Sequence, residues 1–293
     1  MEAFHSFWSE PNKGRNGGSI RIPDYEQLTA ILSALEWRRH NGPIRMITDT
    51  EGLHFLEAAG LAPFWDRIET TLDTLSGRAD PYLFWAAGKL FALQEMPSPC
   101  VMLDTDLIVW GNVDQLLAGS RIAAAHAEPL MPQVYPDASV FRLKDGSHFP
   151  KEWDFTLDAA NTAFLFLRDA GFKKKYTEAA LEFLGHVSPE GLNPVTAMCF
   201  AEQRILPMCA AAAGLRVDFL TTMEEADEQE LLTHTWGFKQ VMEELAEPRD
   251  QFCMRCVRRI AVSHPESAGL LLDCPALKDY YLRYEYTSSS PAS

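Results

Sequence analysis

Apolar residues along this chain recur at two alternating spacings. The run "AFHSFWS" has the apolar density of a short strand, and the Gly-, Asn- and Pro-rich "EPNKGRNGG" after it predicts a loop. Next, "DYEQLTAILSALEWRRH" places apolar residues at helical spacing, with Asp24 as the expected N-cap just after Pro23. "NGP" breaks the chain, "IRMITDT" reads as a second strand, "GLHFLEAAGL" as a short helix, and "PFWDRIETTLD" holds a brief strand around Ile68. "PYLFWAAGKLFALQEM" predicts a long helix, leading through "PSP" into the apolar strand "CVML". Strands alternating with helices predict an α/β fold with a mixed, mostly parallel central sheet covered by helices on both faces. Ligands in such sheets sit beyond the carboxyl ends of the strands. The second half is less regular: "NTAFLFLRD" reads as a strand, "FKKKYTEAALEFLGHV" and "PVTAMCFAEQRILPMCAAAAG" as helical, and "LRVDFL" as a short strand. "THTWGFKQVMEELAE" is a turn entering a helix, and the last thirty or so residues read as a helical extension with an aromatic-rich end, "DYYLRYEY".

A length of 293 residues with 47% hydrophobic and 23% charged residues is ordinary globular composition, enough for one large domain or two modest ones. The terminal "TSSSPAS" cannot bury apolar surface and is expected to be disordered. A net charge of −15 argues against nucleic acid as a partner, because phosphate backbones need a basic face. It leaves a nucleotide ligand open, since one metal ion reverses the local sign. The N-terminus lacks the basic-then-apolar pattern of a signal peptide, and no apolar stretch approaches a transmembrane length, so the expectation is a cytoplasmic protein without a membrane span. The six cysteines are then expected to be reduced. "CMRC" at Cys253 and Cys256 reads as plain thiols on a helix, with a zinc site completed by His264 or Cys274 as the alternative.

One stretch changes the picture. In "CVMLDTDLIVWGNVDQLL", Asp104 and Asp106 interrupt an otherwise apolar run. Burying an unpaired carboxylate costs several kcal/mol. On a strand, residues two apart face one side, so the two carboxylates can converge on one point. Two adjacent carboxylates stay ionised when a cation joins them, and Mg²⁺ or Mn²⁺ suits oxygen ligands. The competing readings are a solvated turn after a strand and the D-x-D of haloacid-dehalogenase-like phosphatases, with Asp104 as nucleophile. That phosphatase motif usually opens its fold, whereas here about a hundred residues of α/β pattern precede it.

The segment "GKLFALQEMPSPCVMLDTDLIVWGNVDQLL" resembles the glycosyltransferases of the GT-A fold, most of all the glycogenin-like family 8 and more distantly the capsular-type transferases. Lys89, Asp104, Asp106, Val113 and Leu116 fall into that family's register. "NTAFLFLRD" is similar to its N-[AT]-G strand, with Asn161 at the asparagine. "EQRIL" is similar to its D-Q-x-x-L block, placing Glu202 and Gln203, and "HTWGFK" to its H-x-x-G-x-x-K, placing His234, Gly237 and Lys239. The chain departs from the pattern in carrying Ala163 for glycine, Glu202 for aspartate, and a His-to-Lys spacing one residue short.

The resemblance implies a GT-A (Rossmann-like) catalytic domain over residues 1–240, with a nucleotide-binding half (1–117), an acceptor and sugar half (118–240), and a helical extension at 241–293. It implies a metal-dependent hexosyltransferase using a nucleotide-diphosphate sugar, UDP-linked, with Mn²⁺ or Mg²⁺, acting with retention on an acceptor the sequence does not identify. Asp104, Asp106 and His234 would hold the metal. Lys89, Lys239, Asp104, Thr105 and Gly237 would meet the donor's diphosphate. Asn161 would face the donor sugar, with Glu202 or Gln203 beneath the anomeric carbon. Phe7, Trp8 and Ser9 after the first strand, and Thr48 and Asp49 after the second, would contact base and ribose; Trp8 could stack on a uracil, while core packing suits Phe7. Trp153, Asp158 and Trp236 are acceptor-side candidates. A non-catalytic sugar-nucleotide-binding module is the third reading, motivated by the same departures.

Overall fold

Strands buried on both faces carry apolar residues at nearly every position, and "CVML" and "FLFL" do so here. The computed structural model describes residues 1–144, 146–225 and 230–289. It begins with β1 (Ala3–Phe7), α1 (Ser9–Arg15), α2 (Asp24–His40), β2 (Ile44–Thr48), α3 (Thr50–Ala58), β3 (Arg67–Glu69), α4 (Ala87–Glu95) and β4 (Cys100–Leu103). Next come β5 (Leu107–Val109), α5 (Asp114–Leu117), β6 (Ile122–Ala124), β7 (Ala127–Glu128), β8 (Ala159–Ala160), β9 (Phe164–Leu167) and α6 (Ala170–His186). A π-helical turn, Phe200–Arg204, joins α7 (Pro194–Cys199) to α8 (Ile205–Ala212). The chain ends in β10 (Asp218–Phe219), β11 (Leu232–His234), α9 (Lys239–Glu244), α10 (Ala246–Ser263), α11 (Pro265–Ala268) and α12 (Lys278–Ser289).

Seven strands form the central sheet in the order β10-β6-β9-β4-β1-β2-β3. Only β9 runs against its neighbours, β4 and β6; the other pairings are parallel. Successive strand residues enter opposite cores. Cys100, Met102, Leu165 and Leu167 pack with Leu90, Phe183 and Phe200, while Val101, Leu103, Phe164 and Phe166 pack with Leu28, Trp37 and Val257. Each fully buried Phe or Leu contributes about 1.5–3 kcal/mol, so the two layers fix where the strand ends lie. This is the mixed, mostly parallel sheet with helices on both faces that the alternation predicts.

Several local expectations are corrected. The segment predicted as a Gly/Asn/Pro loop contains α1, because Pro11 falls in its first turn, where a missing N–H costs little, and Gly17 and Gly18, both at positive φ, come only after it ends. The long helix expected from Pro81 begins only at Ala87; Asp80 Oδ1 instead accepts from the N–H groups of Tyr82 (2.8 Å) and Leu83 (3.1 Å). Asp24 is the first residue of α2 rather than its cap. Its carboxylate accepts from Arg249 Nε (2.7 Å) and the Tyr280 hydroxyl (2.9 Å), tying α10 and α12 to α2. The aromatic "DYYLRYEY" lies in α12, which continues through Ser289, so Thr287–Ser289 of the tail expected to be disordered are helical. Residues 290–293 of that tail lie outside the described residues. Cys253 and Cys256 are free thiols on α10, and no metal-ligating group forms around them among the described residues. No helix among the described residues is long and apolar enough to cross a membrane.

Candidate functional site

The two aspartates converge by a turn, not by a continuous strand. After β4, Asp104 N–H donates to Ala163 O (2.8 Å) and Leu107 N–H returns to Asp104 O (3.1 Å). β5 then leaves the sheet and pairs antiparallel with β11, matching Leu107 to His234. Thr235 N–H donates to Asp106 O (3.0 Å), which pins the imidazole beside the carboxylate. His234 Nε2 lies 3.5 Å from Asp106 Oδ1. One ligand atom from each of Asp104, Asp106 and His234 falls within 4.8 Å of the others, the one such group of three among the described residues.

Each aspartate has its own lysine. Lys89, from the first turn of α4, reaches Asp104 Oδ1 at 2.6 Å and Glu202 Oε1 at 2.7 Å. Lys239, opening α9, reaches Asp106 Oδ2 at 3.0 Å and Glu26 Oε1 at 3.1 Å. Burial pushes the Asp106 carboxyl up, but His234 and Lys239 outweigh it and hold the group below the usual carboxylate range. Burial lowers both lysines, and their carboxylate partners reverse the sign, so both ammonium groups are held above the ordinary lysine value. Glu202, 2% exposed, is pushed up by its burial, against Lys89 and a bond from the Thr162 hydroxyl (2.7 Å).

These residues fit a divalent cation on two observations. Asp104 Oδ1 is buried and held by charge alone, the Lys89 ammonium 2.6 Å away, with no neutral donor on it. The four carboxylates of Asp104, Asp106, Glu202 and Glu26 face two ammonium groups, leaving two negative charges. An oxygen-rich pair with one imidazole suits Mn²⁺ or Mg²⁺.

Beside this group lies a second polar network. Asn161 Nδ2 donates to Glu128 Oε1 (2.6 Å), while its own Oδ1 accepts from Ala163 N–H (3.1 Å). The Tyr135 hydroxyl contacts both Glu128 Oε2 and Gln203 Oε1. Gln203 and Glu202 stand on the π-helical turn, a distortion frequent at functional sites. It turns Glu202 into the core and leaves Gln203 half-buried. Buried Arg204 anchors the turn to the carbonyls of Leu157 and Phe155.

The remaining sequence candidates are placed as follows. Trp8 is 7% exposed within the core and Phe7 packs on Phe55 at 6.2 Å between ring centres. Ser9 N–H and Oγ both bond Asp49 Oδ2 (2.9 Å each), Asp49 Oδ1 caps α3 at Gly52 N–H (2.7 Å), and the Thr48 hydroxyl bonds Phe7 O (2.6 Å). Thr105 is half-buried between the two aspartates. A Cβ on Gly237 would meet nothing within 4 Å, so space remains open against its backbone. Trp153 stacks on Phe149, Asp158 is exposed, and the Trp236 side chain lies outside the described residues. Sequence reasoning missed Glu26, Glu128, Tyr135 and Thr162. Thr162 lies inside "NTAFLFLRD", but its bond to Glu202 is 40 residues away; Glu128 meets Asn161 across 33 residues, Tyr135 meets Gln203 across 68, and Glu26 meets Lys239 from the far end of the chain.

A family model matches residues 1–247, and the chain belongs to that family, a family of unknown function (DUF6734). No curated protein matches it. Among solved structures, the apo form of mouse xyloside xylosyltransferase 1 is similar at 12% identity and TM-score 0.40, over 78% of this chain and 91% of that one. The PaToxG glycosyltransferase is similar at 10% identity and TM-score 0.41, over 97% and 86%. The glycosyltransferase GlyE of Streptococcus pneumoniae TIGR4 is similar at 14% identity and TM-score 0.30, over 62% of this chain and only 37% of its own. At these identities and TM-scores the likenesses say nothing about activity, which has to be argued from the site. The fold does not favour the phosphatase alternative: β1, β2 and β3 precede β4, so the D-x-D does not open the sheet as that motif does.

Proposed function

We propose that this protein is a metal-dependent glycosyltransferase that takes a nucleotide-diphosphate sugar, UDP-linked, as donor. The observation that carries the reading is the convergence of Asp104, Asp106 and His234 with Lys89 and Lys239 at the carboxyl end of β4. Three ligands for a divalent ion next to two fixed ammonium groups suit a diphosphate better than any neutral substrate. A bound Mn²⁺ or Mg²⁺ would supply the positive charge that stabilises the leaving diphosphate.

Within this reading Asp104, Asp106 and His234 hold the ion. Lys239 exchanges its bond to Glu26 for a phosphate oxygen, and the open side of Gly237 admits the diphosphate. Glu202 acts as a positioning residue: buried and bonded by Lys89 and Thr162, it fixes the ammonium beside Asp104 rather than attacking the sugar. Gln203 and Asn161, linked through Glu128 and Tyr135, face the transferred sugar. Retention follows the family-8 resemblance, with Gln203 at the face opposite the leaving group. The acceptor is unassigned.

Calorimetric titration with UDP, with and without Mn²⁺, followed by donor hydrolysis, tests the reading. Metal-dependent UDP binding and slow hydrolysis of a UDP-sugar are expected, with loss of both in Asp106→Asn. No UDP binding under either condition overturns it. Binding with no turnover on any UDP-sugar identifies a non-catalytic sugar-nucleotide-binding module.

A further inference from the structure

The long connection between β7 and β8 grips the π-helical turn at three places. Phe141 and Phe149 pack on Phe200, with ring centres 4.4 and 5.4 Å away. The carbonyls of Phe155 (2.7 Å) and Leu157 accept from Arg204. Between these two anchors the Tyr135 hydroxyl meets the Gln203 amide. The turn is thereby held on either side of Gln203, and what that side chain presents is decided by Tyr135.

Tyr135 is 5% exposed, and its hydroxyl stands between Glu128 Oε2 and Gln203 Oε1. A phenol carries one proton, and a carboxylate has none to give. One proton therefore cannot serve both oxygens. A hydrogen bond to a carboxylate is about twice as strong as one to a neutral carbonyl, so the proton goes to Glu128. Burial, and after it the charge of Glu128, holds the Tyr135 hydroxyl above its ordinary value, so the phenol keeps that proton to donate. The other oxygen of Glu128 is already an acceptor. Asn161 Oδ1 accepts from Ala163 N–H (3.1 Å), which leaves its Nδ2 to donate to Glu128 Oε1 (2.6 Å).

The phenol oxygen is then left to accept, and only the nitrogen end of the Gln203 amide can donate to it. An amide has nearly the same shape either way round, and its hydrogen-bond partners assign its ends. Gln203 thus turns Nε2 to Tyr135 and its carbonyl away. The end turned away bonds no described residue and is not buried, so it is open to a ligand.

Resting on the glycosyltransferase reading above, we propose that Tyr135 is a positioning residue: it carries a one-way relay, from Gln203 N–H to the phenol and from the phenol to Glu128, that holds the Gln203 carbonyl toward the transferred sugar. A carbonyl there is an acceptor for a sugar hydroxyl and puts negative partial charge beside an anomeric centre that turns positive as the diphosphate leaves. The amino group in the same place would oppose that charge. Tyr135 lies in none of the sequence blocks that resemble family 8, so the device belongs to this chain's own β7–β8 connection.

The test turns the relay round. In Glu128→Gln the new amide can donate to the phenol while still accepting from Asn161. The phenol then donates to Gln203 Oε1, and the carbonyl turns inward with every bond kept. Tyr135→Phe removes the relay. Wild type and both variants are compared in UDP affinity with Mn²⁺, in urea midpoint, and in hydrolysis of UDP-glucose, UDP-galactose and UDP-xylose. A nuclear Overhauser contact between the Gln203 side-chain N–H and the Tyr135 ring reads the amide directly. Wild type is expected to show this contact and Glu128→Gln to lose it. Both variants should lose at least about tenfold in kcat with UDP affinity within about twofold of wild type. Glu128→Gln should also keep the wild-type urea midpoint, a split that a merely structural role does not produce. Wild-type kcat in both variants overturns the positioning role and leaves the proposed function standing. Absence of the Overhauser contact from wild type, with Glu128→Gln silent in every readout, overturns the direction of the relay, because Glu128 then carries the proton and the phenol serves Gln203 Oε1. Absence of UDP binding and hydrolysis in wild type overturns the proposed function and the sugar-facing role with it, while the Overhauser contact still decides the relay.

Discussion

Replacing Lys89 by methionine keeps the length of the side chain and removes the cation between Asp104 and Glu202. Asp104 retains access to solvent, with 19% of its side chain exposed, but Glu202 has 3% and keeps only the Thr162 hydroxyl. Removing one partner of a buried pair typically costs about 3–5 kcal/mol. Here protonation limits the cost. Burial already holds the Glu202 carboxyl above its ordinary 4.5, and without Lys89 it is pushed further up. Neutralising it at pH 7 against an unfolded value of 4.5 costs about 1.4 kcal/mol per pH unit, hence a ceiling of about 3.5 kcal/mol.

The sign follows from the direction of the shift. A carboxyl raised in the folded state lets the native protein bind the extra proton, so the penalty exists above the unfolded value and disappears as pH falls to it. Urea titrations followed by tryptophan fluorescence should show Lys89→Met less stable than wild type by up to about 3.5 kcal/mol at pH 7 and by less than about 1 kcal/mol at pH 5. Adding Glu202→Gln should flatten that dependence. A deficit of the same size at both pH values would refute a buried ionic link between α4 and the π-helical turn.

Three further outcomes are expected. Mn²⁺ should raise the unfolding free energy of wild type by about 2.7 kcal/mol at a hundred times its Kd, and leave Asp106→Asn unchanged in thermal denaturation. His5 is buried, accepts from Trp65 Nε1 (3.1 Å) and bonds the Ser33 hydroxyl (2.9 Å), and burial lowers its value from 6.5 to about 3. The unfolded chain therefore takes up a proton that the fold refuses, and stability should fall by about 1.4 kcal/mol per unit as pH drops from 6.5 toward 3, a slope that His5→Asn reduces in urea titrations. Lys173, buried on α6, donates to the carbonyls of Leu93 (2.8 Å), Gln94 (3.1 Å) and Met96 at the end of α4. Lys173→Met should cost about 1–3 kcal/mol in the urea midpoint, by leaving those carbonyls unmet.

The sheet was legible because strands buried on two faces leave apolar runs, and "CVML" and "FLFL" have no other reading at that length. Proximity of Asp104, Asp106 and His234 was also legible, but through motif order, and the geometric reason offered for it was wrong. A two-residue strand repeat does not join the aspartates; the 104–107 turn and the β5–β11 ribbon do. The segment containing α1 was misread because Gly, Asn and Pro were counted as composition, whereas Pro11 matters by its place in the first turn. Glu26, Glu128 and Thr162 were illegible for a different reason. Glu26 meets Lys239 across most of the chain, Glu128 meets Asn161 at a separation of 33 and Thr162 meets Glu202 at 40, and only topology brings such pairs together.

On the proposed glycosyltransferase reading, the charge of the site sets the order in which metal and nucleotide would bind. Four carboxylates against two ammonium groups leave the pocket at two negative charges, within a chain whose net charge is −15. A nucleoside diphosphate brought there alone meets repulsion in a low-dielectric setting, where a pair of charges 4 Å apart interacts by several kcal/mol at an effective dielectric of about 20. A divalent cation held by Asp104, Asp106 and His234 would remove that repulsion. Metal and nucleotide must then strengthen each other's binding by one common factor, since linkage is reciprocal. The same reasoning gives Lys239 its role. Held between Asp106 and Glu26, it would keep Asp106 while exchanging Glu26 for a phosphate oxygen.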